Sequence, residues 1–245
     1  MGAALVHLDT PQQFGDTRTG AMPLLLAAAS EGACMVAYGL IIVLAGGGLL
    51  VWAAALPAWL HRRYAVPYPL LTVGIITYIV ALGLQVTLLR GIDRALLGIL
   101  PVGALTMGVL IGFSEETLRA LGYQVLAPGA VTRPQALMIG AGHGLTATVY
   151  TALIAISVGL SALSGDATGD GAPLSLASRT LAEALNGALP VIMHMALSWL
   201  VLQAFLRGEL YWLFVAIFVH AVVEIMATLL GPNDAWIVVA WRVLV

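Results

Sequence analysis

Residues 210–230 read LYWLFVAIFVHAVVEIMATLL. The only acidic or basic side chains in this run are His220 and Glu224. Because a helix rises about 1.5 Å per residue, about 20 predominantly apolar residues are enough to cross the hydrocarbon core of a bilayer. This stretch therefore predicts a membrane-spanning helix with ionisable groups inside it.

The composition of the whole chain indicates the same surroundings. Of the 245 residues, 61% are hydrophobic and 9% are charged, and the mean hydropathy is +1.01. A water-soluble domain of this size would aggregate with such a surface, so we expect a lipid bilayer around it. The basic residues are all arginine and the net charge is −2, which leaves no basic face for nucleic acid.

Six stretches are long and apolar enough to span a bilayer, and backbone groups in lipid must be hydrogen-bonded within their own segment. We therefore predict an all-α polytopic bundle with six full spans, at residues 33–60, 68–89, 95–126, 135–163, 181–206 and 210–230. Shorter apolar segments, at 22–29 and after Asp234, lie at both ends. Residues 1–20 predict an extramembrane tail, and 21–245 a single transmembrane domain.

Ionisable side chains interrupt the middle of four predicted spans. A charge at the centre of a span costs roughly 2.5–3.5 kcal/mol on insertion scales, so each one calls for an explanation. In chain order they are Glu115, Glu116 and Arg119 on the third span, His143 on the fourth, His194 on the fifth, and His220 and Glu224 on the sixth. Counting residues from the span ends places an acid or imidazole of all four helices near one depth. We predict that these groups meet in one enclosed, hydrated site.

Local spacing also favours a site. Glu115 and Arg119 are four residues apart, as are His220 and Glu224, so each pair shares a helix face.

The neighbours of His143 and His194 add two further expectations. Glycines in the stretch Gly140-Ala-Gly-His143-Gly144 allow either a neighbouring backbone or a substrate to approach the imidazole, although such spacing is also common in plain helix packing. Pro190, four residues before His194, predicts a kink in the fifth span.

The same motifs resemble a known family. They are Glu115-Glu116-Thr-Leu-Arg119, Gly-His143-Gly, Met-His194-Met-Ala-Leu-Ser198 and His220-Ala-Val-Val-Glu224. In this order they are similar to the YhfC family of intramembrane peptidases, over most of the chain from the second span onward. That family is related to the glutamate-dependent membrane proteases that include the CAAX-prenyl endopeptidases, the bacteriocin-processing CPBP proteins and PrsW.

The resemblance implies an endopeptidase of a prokaryotic cytoplasmic membrane, acting on a membrane-bound peptide or protein. Glu115 would activate water, while Glu116 and Arg119 would organise the helix. His143 and His220 would orient water or stabilise the tetrahedral intermediate. Two residues separate Glu116 from Arg119, as in the YhfC branch, whereas the endopeptidases have three. Glu224 stands where the wider group has an asparagine, so the amide that would stabilise an oxyanion is replaced by an acid.

Other mechanisms and functions stay open at this point. A zinc version of the peptidase would use His143, His194 and His220 as ligands and Glu115 as base, but the chain has no His-Glu-x-x-His motif, which favours the metal-free version. Buried Glu and His residues also serve in proton- or ion-coupled transporters and channels. A non-catalytic membrane scaffold would use the same polar groups to hold its helices together.

Overall fold

The computed structural model describes residues 18–92, 99–164, 181–182 and 186–230, with the side chains of 18–31, 100 and 230 excepted. This part of the chain forms six long helices and contains no strand. The helices are α1 (Arg18–Tyr64), α2 (Pro69–Leu89), α3 (Leu100–Val125), α4 (Arg133–Ser164), α5 (Leu189–Arg207) and α6 (Tyr211–Leu230). The all-α prediction is confirmed for these residues.

Five of the six helices are long and apolar enough to cross a membrane: α1 from Gly32 onward, α2, α4, α5 and α6. They identify an integral membrane protein, with many large apolar side chains on its outer surface, such as Leu44, Val51 and Phe218. The remaining described helix, α3, has 26 residues but carries Glu115, Glu116 and Arg119, whose charges lower its hydropathy. Six full spans therefore stay a prediction, and five are supported by composition.

Two details of the predicted segments are wrong, and each has a local cause. Residues 22–29 do not form a separate short segment, because α1 runs from Arg18 to Tyr64 and the polar pair Ser30 and Glu31 does not interrupt it. Pro190 does not kink a span, because it lies in the first turn of α5, where a missing N–H costs nothing. Residues 1–17 and the apolar run after Asp234 lie outside the described part.

The helices pack around α4, which contacts α1, α2 and α5, while α3 contacts α2, α5 and α6. Small residues set the closest approaches. Gly39 of α1 and Gly159 of α4 each face the other's backbone, and a Cβ at Gly112 of α3 would lie 2.7 Å from the Ala221 nitrogen of α6. Because the helix axes come this close, polar groups near the crossing points are brought into direct contact.

Candidate active site

Polar side chains from five helices meet in the buried interior of the bundle. The ring centroids of His143 and His194 are 4.8 Å apart, and those of His194 and His220 are 5.2 Å apart. Glu115, Glu116 and Arg119 of α3 lie beside these rings, and all six residues are buried. The predicted convergence of α3, α4, α5 and α6 is therefore observed.

Glu115 lies between two imidazoles. Its Oε2 atom is 2.9 Å from Nε2 of His143 and 3.8 Å from Nε2 of His220. Its Oε1 atom accepts a hydrogen bond of 3.2 Å from the side-chain amide of Gln85. One carboxylate oxygen is thus held by α2, and the other faces the histidines.

Glu116 has a different environment from its neighbour. Nη1 of Arg119 donates to both of its oxygens, at 2.8 and 2.6 Å, and Nδ1 of His220 lies 2.7 Å from Oε1. Sequence spacing suggested that Arg119 pairs with Glu115, but the hydrogen-bonded partner is Glu116, three residues earlier. Glu116 and Arg119 therefore form an ion pair that also fixes the ring of His220.

Arg119 also decides which nitrogen of His194 carries the proton. Its Nη2 atom lies 2.9 Å from Nδ1 of His194. A guanidinium can only donate, so Nδ1 of His194 accepts this bond, and in the neutral ring Nε2 carries the hydrogen. His194 is therefore a donor through Nε2.

Neighbouring helices fill the space beside the glycines around His143. A Cβ at Gly140 would contact the backbone at His194 and Met195, and one at Gly144 would lie 2.6 Å from the Val191 Cα. A Cβ at Gly142 would clash with the backbone of Leu71 in α2. Of the two expectations for this motif, the structure supports close helix packing, which presses α4 against both α2 and α5.

Two residues of α2 belong to the site and were not predicted from the sequence. Thr77 has its hydroxyl 3.1 Å from Nδ1 of His143, and Gln85 bonds both Ser114 and Glu115. Neutral polar groups are less costly in lipid than charges, so neither stood out. The available signal was their spacing, because Thr77, Ala81 and Gln85 follow at intervals of four on one buried face.

Other side chains extend the cluster. The ring of Tyr78 meets His143 edge-on with centroids 5.2 Å apart. Tyr123 of α3 donates to the Ser198 carbonyl at 3.0 Å and lies 2.8 Å from its hydroxyl, which ties α3 to α5 one turn beyond His194. Ser198 ends the motif Met-His194-Met-Ala-Leu-Ser198, and the structure gives it this packing role.

Glu224 is less directly connected than the other predicted residues. It is half-buried, one turn from His220, and close enough for an electrostatic interaction with it. Within the described residues its carboxylate has no hydrogen bond to the Glu115 or Glu116 group. Glu224 shares a helix face with His220 but lies at the edge of the cluster.

The suitability of the histidines for zinc differs from one ring to the next. A metal-ligand atom from each of Glu115, His194 and His220 can be chosen so that all lie within 4.8 Å of one another, a group that has Glu115 where the sequence suggested His143. His220 suits a metal, because Nδ1 is held by Glu116 and Nε2 points inward. His194 does not, because Nδ1 accepts from Arg119 and Nε2 bears the proton. The arrangement therefore suits the metal-free version better.

Comparison with family models, curated proteins and solved structures gives no match to this chain. The similarity to the YhfC family stays a prediction that rests on the motifs around Glu115, His143, His194 and His220.

Proposed function

We propose that this protein is an intramembrane peptidase in which Glu115 activates water to hydrolyse a peptide bond of a membrane-associated substrate. The observation that carries the proposal is the position of Glu115, with Oε2 2.9 Å from His143 and 3.8 Å from His220 in a buried site. A carboxylate flanked by two imidazoles can take a proton from water and pass it on to a leaving amine.

The distances within the cluster suit a single bridging water. Two hydrogen bonds of about 2.8 Å to one oxygen can join groups up to about 5.6 Å apart. Glu115, His194 and His220 offer atoms that lie within 4.8 Å of one another, so one water can contact any two of them. Such a water would lie between the proposed base and two imidazoles.

The ion pair beside Glu115 gives Glu115 and Glu116 different roles. Arg119 balances the charge of Glu116, and Glu116 in turn holds His220 through Nδ1, so that Nε2 is directed at Glu115. Glu116 and Arg119 act in this proposal as positioning residues. Among the described side chains no arginine is hydrogen-bonded to Glu115, which is the acid assigned to proton transfer.

The imidazoles supply the donors that peptide hydrolysis requires. Negative charge develops on the carbonyl oxygen in the transition state, and preorganised N–H groups stabilise it. His194 is assigned to this role because Arg119 leaves its proton on Nε2. Glu224, at the edge of the cluster, is not assigned a donor role.

The test compares wild type with Glu115→Gln, which keeps the shape and removes the base. Membranes of cells producing each form are compared by quantitative proteomics, and precursors that accumulate with Glu115→Gln are converted into purified reporter peptides. We expect cleavage to fall by about 10²- to 10⁴-fold. The matched control is Glu209→Gln, which changes an exposed acid just before α6 and should cleave normally. Unchanged cleavage by Glu115→Gln would rule out the proposal.

A proton-coupled transporter is the second candidate, favoured by the continuity of the polar contacts. Hydrogen bonds run from Thr77 through His143 to Glu115, and from His220 through Glu116 and Arg119 to His194. Buried chains of this kind can carry protons. In liposomes with an internal pH dye, a transporter would lose proton flux on Glu115→Gln, whereas a peptidase would show none in either form. A scaffold would change in neither assay.

A further inference from the structure

A shallow groove runs along the outer face of the second half of α1. Its lining comprises Val51, Ala54, Ala55, Ala58, Trp59, Arg62 and Arg63. These positions recur every three or four residues and so form one stripe on the helix. The alanines leave space along the stripe, and the two arginines lie at its end.

The length of the groove matches one leaflet of a bilayer. Val51 and Arg62 are eleven positions apart in α1, which corresponds to a rise of about 16 Å along the helix. Half of a hydrocarbon core about 30 Å thick is about 15 Å. Trp59 is 53% exposed beside the arginines, and aromatic residues of this kind favour the depth of the lipid headgroups. The groove therefore extends from the bilayer centre to the headgroup region.

The charge at its end is positive and unbalanced. Arg62 and Arg63 are both exposed, and neither has an acidic partner among the described side chains. The guanidinium of Arg63 lies over the Tyr64 ring, 5.3 Å from its centroid, which leaves its charge in place. None of the described residues that line the groove is acidic. Two adjacent guanidinium groups complement a phosphodiester that bears a net negative charge.

We propose that this groove is a binding site for an anionic phospholipid, with an acyl chain along Ala54, Ala55 and Ala58 and the phosphate on Arg62 and Arg63. A zwitterionic lipid fits the same apolar surface but brings its own cation, so the arginines select the anionic headgroup. The site lies on the outer face of α1, away from the Glu115 cluster, and does not depend on the proposed peptidase activity.

Native mass spectrometry of the detergent-solubilised full chain provides the test. Dioleoylphosphatidylglycerol and dioleoylphosphatidylcholine are titrated separately, so that the acyl chains are identical and only the headgroup differs. A basic residue near an anionic headgroup contributes about a five-fold preference, so two arginines give about 25-fold. We expect wild type to bind phosphatidylglycerol more tightly by about this factor, and Arg62→Gln with Arg63→Gln to lose the preference.

Two controls separate the groove from general surface charge. Arg133→Gln removes an exposed arginine at the start of α4, which lies at the same end of the bundle, and should keep the preference. Ala55→Leu fills the groove without changing charge and should weaken both lipids. Equal binding of the two lipids by wild type, or the same loss of preference in Arg133→Gln as in the double variant, would overturn the proposal.

Discussion

The ion pair between Glu116 and Arg119 makes a quantitative prediction about stability. Arg119 is fully buried and bonds both oxygens of Glu116 and Nδ1 of His194. Replacing it by methionine leaves the Glu116 carboxylate buried with His220 as its remaining partner. Removing one member of a buried ion pair costs about 3–5 kcal/mol, because the other charge is left without compensation. A hydrogen bond between membrane helices contributes only about 0.6 kcal/mol on average, so losing the bond from Arg119 to His194 would by itself cost much less.

The double variant tests that reasoning. Glu116→Gln with Arg119→Met removes both charges, and the new amide oxygen can still accept from His220. We expect the double variant to be more stable than Arg119→Met alone, with a coupling free energy on the order of 2–3 kcal/mol. Unfolding is followed by circular dichroism in mixed micelles as denaturing detergent increases, with Arg133→Met as an exposed control that changes stability by less than about 0.5 kcal/mol. Strictly additive losses would refute the ion-pair argument.

Three further outcomes are expected. Gly142→Ala places a methyl group against the Leu71 backbone and should destabilise the protein by about 1–3 kcal/mol. Gly83→Ala has open space around it and should be neutral or stabilising by up to about 1 kcal/mol in the same unfolding assay. Equal effects of the two variants would contradict the α2–α4 contact. Gln85→Leu should lower the turnover of a cleaved reporter about ten-fold with folding intact, because Glu115 loses its Oε1 partner, and normal turnover would remove α2 from the site. Cleavage should survive a zinc chelator, and elemental analysis should find no stoichiometric zinc in wild type; chelator-sensitive cleavage with zinc lost in His194→Ala would favour the metal version.

Much of the fold follows from the sequence because lipid imposes a simple requirement. A run such as residues 210–230 has to form a helix, and α6 begins within one residue of that prediction. Hydropathy misplaces a helix boundary where one polar residue interrupts the apolar pattern but not the backbone. Glu31 interrupts the hydropathy but not the helix, and Pro190 marks the start of a helix as readily as a kink within one.

The site was predictable in its members but not in its pairings. Depth alone brought Glu115, His143, His194 and His220 together, because charged groups avoid lipid and seek one another. Glu115, Glu116 and Arg119 all lie on α3, so their pairing depends on the partners that neighbouring helices offer: Gln85 and His143 hold Glu115, and His220 contacts Glu116. The spacing rule therefore could not distinguish Glu115 from Glu116 as the partner.

The pairing of Glu116 with Arg119 inside a single helix also bears on biosynthesis. During translation α3 emerges before α4, α5 and α6, so in the predicted six-span arrangement it would enter the bilayer before His143, His194 and His220 exist. An arginine one turn from a glutamate lets α3 carry its own counterion through the translocon, which leaves Glu115 as the main obstacle to insertion. Chains truncated before α6 would lack His220 and the surface that covers Gly108 and Gly112. In such chains Glu115 and Glu116 would both lack their contact with His220.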